Sequence, residues 1–357
     1  MGVINFLYKL ILLGTLLLVG FPHLSKAQKD TLRLSNEDVL VGEIKYMDRG
    51  ILFIKTIYSN ADIQVKWKEV NTIHSESLFL ITLENGERLE GNLKSISNDS
   101  LLIHVIKPTK RTLSHIELDE FENFQINKDQ LVLLNEINTS FSSRFNGDIS
   151  VGFNLAKANK LRQFSIKSNL GYSGDIWGGA LDLNVIRSIQ SSTAAIERYQ
   201  GSGSILLFLP KDFFLIGVVS LLSNTQQLLE LRVNSILGAG MYLIHTNHSY
   251  WNLQVGVNNN NERFQGDLPS ENSFEAIIGT DINFYDVGVF NFSGSIAGYR
   301  SFLDEGRYRS DARFDVTYKF VDDFFLKLGL AFNYDSKPTE GATDFDYVVQ
   351  STLGWKF

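Results

Sequence analysis

The segment FDYVVQSTLGWKF, residues 345–357, alternates apolar and polar side chains. One face of this segment, interrupted only by Ser351, carries Phe345, Tyr347, Val349, Leu353, Trp355 and Phe357. The other face carries Asp346, Gln350, Thr352, Gly354 and Lys356. A repeat of two residues predicts a β-strand, and about ten residues are enough for a strand to cross a membrane. Soluble strands can show the same repeat, so the preceding chain must decide between the two.

The same alternation recurs from Gly147 to the end of the chain and predicts twelve strands. We therefore expect an all-β fold in which residues 147–357 form an antiparallel transmembrane β-barrel, with ten or fourteen strands as alternatives. The connections after even-numbered strands are short, and most of those after odd-numbered strands are longer and more polar. This places both ends of the barrel on the periplasmic side of a cell outer membrane.

The predicted strand 308–320 indicates which face meets lipid. One row of its side chains is apolar, and the other contains Arg309, Asp311, Arg313 and Asp315. Because an Arg or Lys facing lipid at the midplane costs about 2–4 kcal/mol, we expect the charged row to face the lumen. The same reasoning gives these lumen-lining candidates: Arg198, Glu230, Arg232, Glu275, Asp281, Arg309, Asp311, Arg313, Asp315, Lys327 and Asp346.

The predicted lumen carries charges of both signs, which leaves two interpretations open. The charges form ion pairs that fill and stiffen a narrow barrel, or they line a polar channel for a small solute. The sequence favours a structural or envelope-adaptation protein that is at most a narrow channel. A solute-specific porin and a soluble periplasmic β-protein that binds a partner are the alternatives.

The composition excludes several classes of site. The 357 residues carry a formal charge of −7 and include no Cys, so disulfides, thiol nucleophiles and Cys metal sites are excluded. The acidic balance argues against nucleic acid as a partner. The 26 Phe and 28 Gly against 5 Pro suit a chain of strands and turns.

The first 27 residues are typical of a secretory signal peptide. Lys9 precedes an apolar run over residues 10–21, and Ser25 and Ala27 place small residues before a cleavage site. We expect cleavage between Ala27 and Gln28. A transmembrane anchor is the alternative, but the run is shorter than the roughly 20 residues that a spanning helix needs.

Residues 28–130 predict a periplasmic β-module built from two copies of a small SH3-like or Sm-like barrel. Gly42 and Gly91 occupy equivalent positions in the two copies, and we expect each to serve a bulge or a sharp bend. Residues 131–146 read as a connector that packs on the module or enters the barrel rim.

No catalytic, metal or cofactor site is predicted, and we do not expect an enzyme. The barrel histidines are His245 and His248, both near a turn on the predicted periplasmic side. An outer-membrane lipase needs its Ser and His near the outer rim instead. In the module, His74, His104 and His115 are far apart in sequence and show no ligand spacing.

The wording LENGERLEG, residues 83–91, followed by a Gly- and Asn-rich barrel, resembles the YdiY-like salt-induced outer-membrane proteins. The likeness covers most of the mature chain, although residues 157–160 (KANK) depart from the family's usual first turn. The terminal residues Tyr347, Trp355 and Phe357 resemble the signal by which bacterial outer-membrane barrels are recognised for assembly. The resemblance implies an outer-membrane barrel with no catalytic residues, and outer-membrane lipid and the barrel assembly machinery as partners.

Overall fold

The computed structural model describes residues 30–107, 123–137, 144–157, 161–190, 193–266, 269–287, 289–303, 306–321, 324–337 and 343–355. Two antiparallel sheets account for nearly all of these residues. Among the described residues, no helix combines the length and the apolar character needed to cross a membrane. The all-β fold class predicted from the alternation is confirmed.

The N-terminal module is a sheet of nine short strands. They are β1 (Asp30–Leu34), β2 (Val39–Asp48), β3 (Ile51–Lys55), β4 (Ile63–Lys66), β5 (Val70–Leu83), β6 (Arg88–Ser95), β7 (Ser100–Lys107), β8 (Asn123–Asn127) and β9 (Leu131–Ile137). The strand order is β4-β3-β2-β1-β5-β6-β7-β8, and β9 pairs with both β2 and β5. A short 3-10 helix precedes β5 and another precedes β9.

The two halves of the module repeat the same backbone hydrogen bonds. Leu34 N donates to Asp38 O over 2.8 Å, and Leu83 N donates to Glu87 O over 2.9 Å. The first residue of each 3-10 helix also donates to a turn two strands earlier: Trp67 N to Gly50 O, and Lys128 N to Asp99 O. The two halves therefore repeat one local plan, and their strands join in a single β-barrel-like sheet with a shared core.

Gly42 and Gly91 are required by a close approach of the backbone. A Cβ on Gly42 would lie 2.3 Å from the carbonyl oxygen of Lys55, and one on Gly91 would lie 2.4 Å from that of His104. The pairing of β6 with β7 also shifts register next to Gly91. No other residue fits at either position without moving the facing strand.

The structure assigns part of the expected connector to the module. Residues 131–137 form β9, whose Leu131 and Leu134 side chains are fully buried in the module core. Every side chain of that core comes from the module itself. The apolar run that begins at Leu131 is therefore a core strand, and the module extends to Ile137.

The second sheet contains the predicted twelve strands. They are β10 (Phe145–Ala156), β11 (Leu161–Ser173), β12 (Trp177–Gln190), β13 (Thr193–Phe208), β14 (Phe213–Asn224), β15 (Leu229–His245), β16 (Ser249–Phe264), β17 (Glu271–Val287), β18 (Phe290–Ser301), β19 (Tyr308–Val321), β20 (Phe324–Asp335) and β21 (Phe345–Trp355). Each strand pairs with the next in the chain, which gives the strand order of an up-and-down β-barrel.

The two faces of this sheet differ along most of its width, the exception being β14, where both faces are mainly apolar. The register places Asp148, Lys167, Asp182, Gln254 and Asp315 on one face, which we call the polar face. The other, apolar face exposes large side chains on strand after strand, among them Phe153, Leu181, Ile205, Leu237, Val255, Ile278, Ile296, Leu328 and Val349. An apolar surface of this extent is unusual for a soluble monomer.

Candidate functional site

The polar face collects nearly all of the residues predicted to line a lumen. The strand register puts the following on it: Arg198 (β13), Arg232 (β15), Glu275 and Asp281 (β17), Arg309, Asp311, Arg313 and Asp315 (β19), Lys327 (β20), and Asp346 (β21). The exception is Glu230, which is exposed at a bulge between Leu229 and Leu231. The bulge turns Leu229, expected on the apolar face, onto the polar face, where it is buried.

The most buried charge on this face is the Glu275 carboxylate, whose side chain is 2% exposed. Arg309 holds it with two hydrogen bonds, from Nε to Oε1 over 3.0 Å and from Nη2 to Oε2 over 2.5 Å. Asn258 Nδ2 donates to the same Oε2 over 3.2 Å. The guanidinium also lies over the ring of Tyr299. This cluster joins β16, β17 and β19 across the intervening β18.

Two further ion pairs link neighbouring strands on the polar face. Arg232 Nε lies 2.9 Å from Glu262 Oε1, and Lys327 Nζ lies 3.4 Å from Asp315 Oδ1. Gln254 donates to Asp281 over 3.3 Å. Arg313 and Asp346, in contrast, are exposed. The paired charges therefore cross-link the polar face and form no ring of one sign.

The polar face changes character at the ends of the strands that approach the module. Aromatic side chains from β13 to β17 occupy polar-face positions there, and we call them the aromatic collar: Phe208, Phe214, Tyr242, Tyr250 and Tyr285. A Cβ on Gly240 would lie 2.4 Å from the Phe214 ring, so this glycine leaves room for the ring. The alternation of apolar and polar residues in the sequence does not predict this collar.

Two module arginines lie on the collar. The Arg88 guanidinium stacks 3.9 Å above the centre of the Phe208 ring, and its Nη2 donates to Gly174 O over 3.0 Å. The Arg49 guanidinium lies 5.2 Å from the centre of the Tyr285 ring. Arginine over an aromatic face is a favourable contact that leaves the hydrogen-bond donors at the guanidinium edge available.

The module also meets the turns of the twelve-stranded sheet through two glycines. Gly86 packs against Asp212, between β13 and β14, and a Cβ on Gly86 would lie 2.5 Å from Asp212 Oδ1. The same oxygen lies 2.8 Å from His245 Nδ1. Gly50 approaches the turn between β15 and β16, where its Cβ would lie 3.2 Å from Asn247 O. The module thus contacts successive turns from β11–β12 to β15–β16, and the end of β17.

A cavity of about 330 Å³ remains between the collar and the module. Arg49, Arg88 and Asp48 line it from the module, and Asp212 and His245 line it from the sheet. The buried Thr82 Oγ1 also borders this cavity and has no hydrogen-bond partner among the described residues. The junction is therefore polar at its edges and incompletely packed.

Within the module, a cluster of charges connects β2 with β9. Lys45 Nζ lies 2.6 Å from Glu43 and 3.1 Å from Glu136. Burial raises the pKa of Glu136 to about 7, with Lys45 opposing the shift and Glu43 adding to it. Asp30 is buried as well, and burial raises its pKa although Ser75, Ser77 and the Ile44 amide hydrogen-bond to it.

Comparison with known proteins places the twelve-stranded sheet in a family. The sequence profile described as "Protein of unknown function, DUF481" matches residues 149–357, from β10 to the end of the chain. The chain belongs to this family. It is the family of the YdiY-like salt-induced outer-membrane proteins, so the resemblance to that family is confirmed for the twelve-stranded sheet. The match does not extend to the module, and no curated protein matches the chain.

The family match adds no catalytic residue to the site. Among the described residues, no group of three His, Asp or Glu side chains is placed to hold a metal ion. His104 contacts Asn123 over 2.8 Å within the module, and His245 contacts Asp212 at the junction. His74 is exposed on β5, and His115 lies outside the described residues.

The residues predicted to direct export and assembly lie at the two chain ends. Ala27, Gln28 and Phe357 fall outside the described residues. Tyr347 projects from the apolar face of β21 and is 60% exposed, and Trp355 is the last residue of that strand. The predicted cleavage site and assembly signal both stay predictions.

Proposed function

We propose that the protein is an outer-membrane β-barrel of the structural, envelope-adaptation type, with a polar lumen that is at most a narrow channel. In this proposal the apolar face meets lipid, the polar face encloses the lumen, and the module lies in the periplasm. The barrel performs no catalysis, and its partners are outer-membrane lipid and the barrel assembly machinery.

The observation that carries the proposal is the contrast between the two faces of the twelve-stranded sheet. In water, the exposed apolar side chains would cost about 25 cal/mol for each Å² of accessible apolar surface. In a bilayer the same surface is favourable, and only a strand arrangement that satisfies its backbone internally can span the membrane. Membership in a family of outer-membrane proteins supports the same conclusion.

The ion pairs of the polar face favour a stiffened, narrow lumen and argue against a wide pore. The Glu275–Arg309 cluster bridges three strands, and two other pairs bridge adjacent strands. Paired charges of opposite sign produce little net field, so they do not attract ions of one sign as a porin's charged constriction does.

The placement of the module supports the proposed orientation. It contacts the turns that follow β11, β13 and β15, which are the second, fourth and sixth strands of the sheet. All the connections on that side of the sheet are short, whereas on the other side those after β16, β18 and β20 are longer and those after β10, β12 and β14 are short. The side with only short turns is the periplasmic one in outer-membrane barrels. A periplasmic module is also what a chain with a cleaved signal peptide would present on that side.

The first experiment expresses the full chain and separates membranes from soluble protein with sodium carbonate. The proposal expects the protein in the carbonate-resistant outer-membrane fraction, migrating faster in SDS gels before boiling than after. Release into the carbonate supernatant as a folded protein would refute the membrane assignment and leave the soluble β-protein alternative.

The second experiment reconstitutes the mature chain, residues 28–357, in a planar bilayer. The proposal expects rare, small conductance steps or none. Large, steady steps with selectivity for one solute would contradict a narrow lumen and would support the solute-specific porin instead.

A further inference from the structure

We infer that the N-terminal module is a displaceable plug that closes the periplasmic mouth of the barrel by docking on the aromatic collar. This inference rests on the proposed barrel function and adds regulation of the lumen to it. The collar belongs to the polar face, so the surface under the module is the end of the proposed lumen and not the outside of the barrel.

The position of the docked module is the first argument. Its contacts begin at Gly174, between β11 and β12, and reach Tyr285 at the end of β17. Between these points lie six consecutive strands of the twelve, β12 to β17. A module attached over so much of the rim, with Arg88 and Arg49 above inward-facing rings, covers the mouth.

The composition of the junction is the second argument. A permanent interface is expected to be large, apolar and closely packed, whereas a reversible one is smaller and more polar. This junction joins arginines to aromatic rings, contains the charged Asp48 and Asp212, and encloses a cavity of about 330 Å³. It has the character of a contact that forms and separates.

The independence of the module is the third argument. Its core is formed entirely by its own strands, from Leu32 on β1 to Leu134 on β9. Separation from the collar therefore leaves that core covered, although it exposes Val132 and Thr82, which are buried where they line the junction cavity. Arg144, just before β10, pairs with Glu90 of the module over 2.5 Å and holds the two parts together at the chain connection.

A disulfide across the junction provides the test. The chain has no cysteine, so a Gly86→Cys, Asp212→Cys variant contains a single possible bond. A Cβ on Gly86 would lie 2.8 Å from the Asp212 Cγ and 2.7 Å from the Asp212 backbone nitrogen, so the two turns must separate slightly to reach the Cβ–Cβ distance of about 3.5–4.5 Å that a disulfide requires. The same variant, reduced, is its own control for backbone strain at the two positions.

A loosened junction provides the opposite perturbation. Replacing both Arg49 and Arg88 with alanine removes the two contacts with the collar rings. Arg33→Ala is the matched control, because Arg33 pairs with Glu37 on the module surface. All variants are full-length chains in planar bilayers, and a heat-modifiable band in SDS gels verifies that each barrel has formed.

The inference expects the oxidised disulfide variant to conduct severalfold less often than the same variant after reduction. It expects the double alanine variant to conduct severalfold more often than the wild type, and Arg33→Ala to match the wild type. Equal conductance in the locked, reduced and loosened proteins, with all barrels formed, overturns the plug and leaves the proposed barrel function intact. Absence of the heat-modifiable band from every variant, the wild type included, overturns both.

Discussion

A lysine in place of Leu237 distinguishes a lipid-facing surface from a water-facing one. Leu237 lies in the middle of β15 on the apolar face, opposite Gly217 and Val257, and is 67% exposed. If this face met water, replacing so exposed a side chain would change the free energy of unfolding by no more than about 0.5 kcal/mol. If it meets lipid at the midplane, the lysine costs about 2–4 kcal/mol.

Ile244 on the same strand and face supplies the matched control. It lies opposite Trp251 near the periplasmic end of β15, seven residues from Leu237. At about 3.4 Å per residue and a strand tilt of about 40°, the two positions differ by roughly 18 Å in depth. Near the interface a lysine costs only about 0–1 kcal/mol, so Ile244→Lys should be nearly neutral.

Urea titration of each variant in lipid vesicles measures the difference. With a slope of about 1–3 kcal/mol per M, a loss of about 3 kcal/mol lowers the unfolding midpoint of Leu237→Lys by about 1 M or more. Tryptophan fluorescence and the heat-modifiable band report the same transition. Equal midpoints for Leu237→Lys, Ile244→Lys and the wild type would refute a lipid-facing surface.

Two further predictions concern buried charges. Arg309→Met leaves the Glu275 carboxylate buried without its cation and should destabilise the barrel by about 3–5 kcal/mol in the same titration. Arg313 lies on the same face but is exposed, so Arg313→Met should change the free energy of unfolding by less than about 0.5 kcal/mol. Similar losses in the two variants would contradict the pairing of Arg309 with Glu275. Glu136 has a pKa of about 7 in the folded protein and of about 4.3 in the unfolded chain. Its contribution to the free energy of unfolding is therefore fully present below about pH 4.3 and is lost as the pH rises through 7. Because Glu136 is partly exposed, the stability of Glu136→Gln relative to the wild type should rise by only about 1–2 kcal/mol between pH 4.5 and 8. Hydrogen-exchange protection of β9, measured at each pH, reports this stability. A difference between the two proteins that does not vary with pH would contradict the prediction.

The fold was predictable because one physical constraint repeats in every strand of the sheet. A strand with one face toward lipid and the other toward a polar interior must alternate, and Trp177–Gln190 and Leu229–His245 were located to the residue. The predicted strand was too short where both faces of the strand become polar. β16 continues to Phe264, with Asn261 and Arg263 on the otherwise apolar face. Because apolar and polar residues no longer alternate there, the sequence pattern predicts a loop.

The polar-face residues were predictable for the same reason, except where a bulge intervenes. An extra residue in one strand reverses which face each later side chain takes, and nothing in the sequence around Glu230 marks its position. The strand β9 was missed for a different reason. Its partners β2 and β5 are far away in the chain, and a short apolar run does not reveal what it pairs with.

The aromatic collar is visible in the sequence as aromatic residues at polar-face positions, but the sequence does not show what these residues contact. Phe214, Tyr242 and Tyr250 have the same parity as the polar residues of their strands, which is unexpected for aromatics in a lumen. The two arginines that stack on other rings of the collar, Arg49 and Arg88, lie more than a hundred residues earlier in the chain. A period-two pattern within a strand carries no information about contacts with another domain. Only the three-dimensional arrangement joins the two.

The pairing of the lumen charges and the docking of the module have different consequences for the barrel. A carboxylate as buried as Glu275 requires its cation in every state of the protein. Leaving the charge unpaired at that depth would cost more free energy than most rearrangements of the protein release. The contacts of Arg88 and Arg49 with ring faces carry no such requirement, since both arginines can be solvated when the module leaves. The ion-paired strands are therefore the rigid part of the molecule, and the junction with the module is where the structure permits movement.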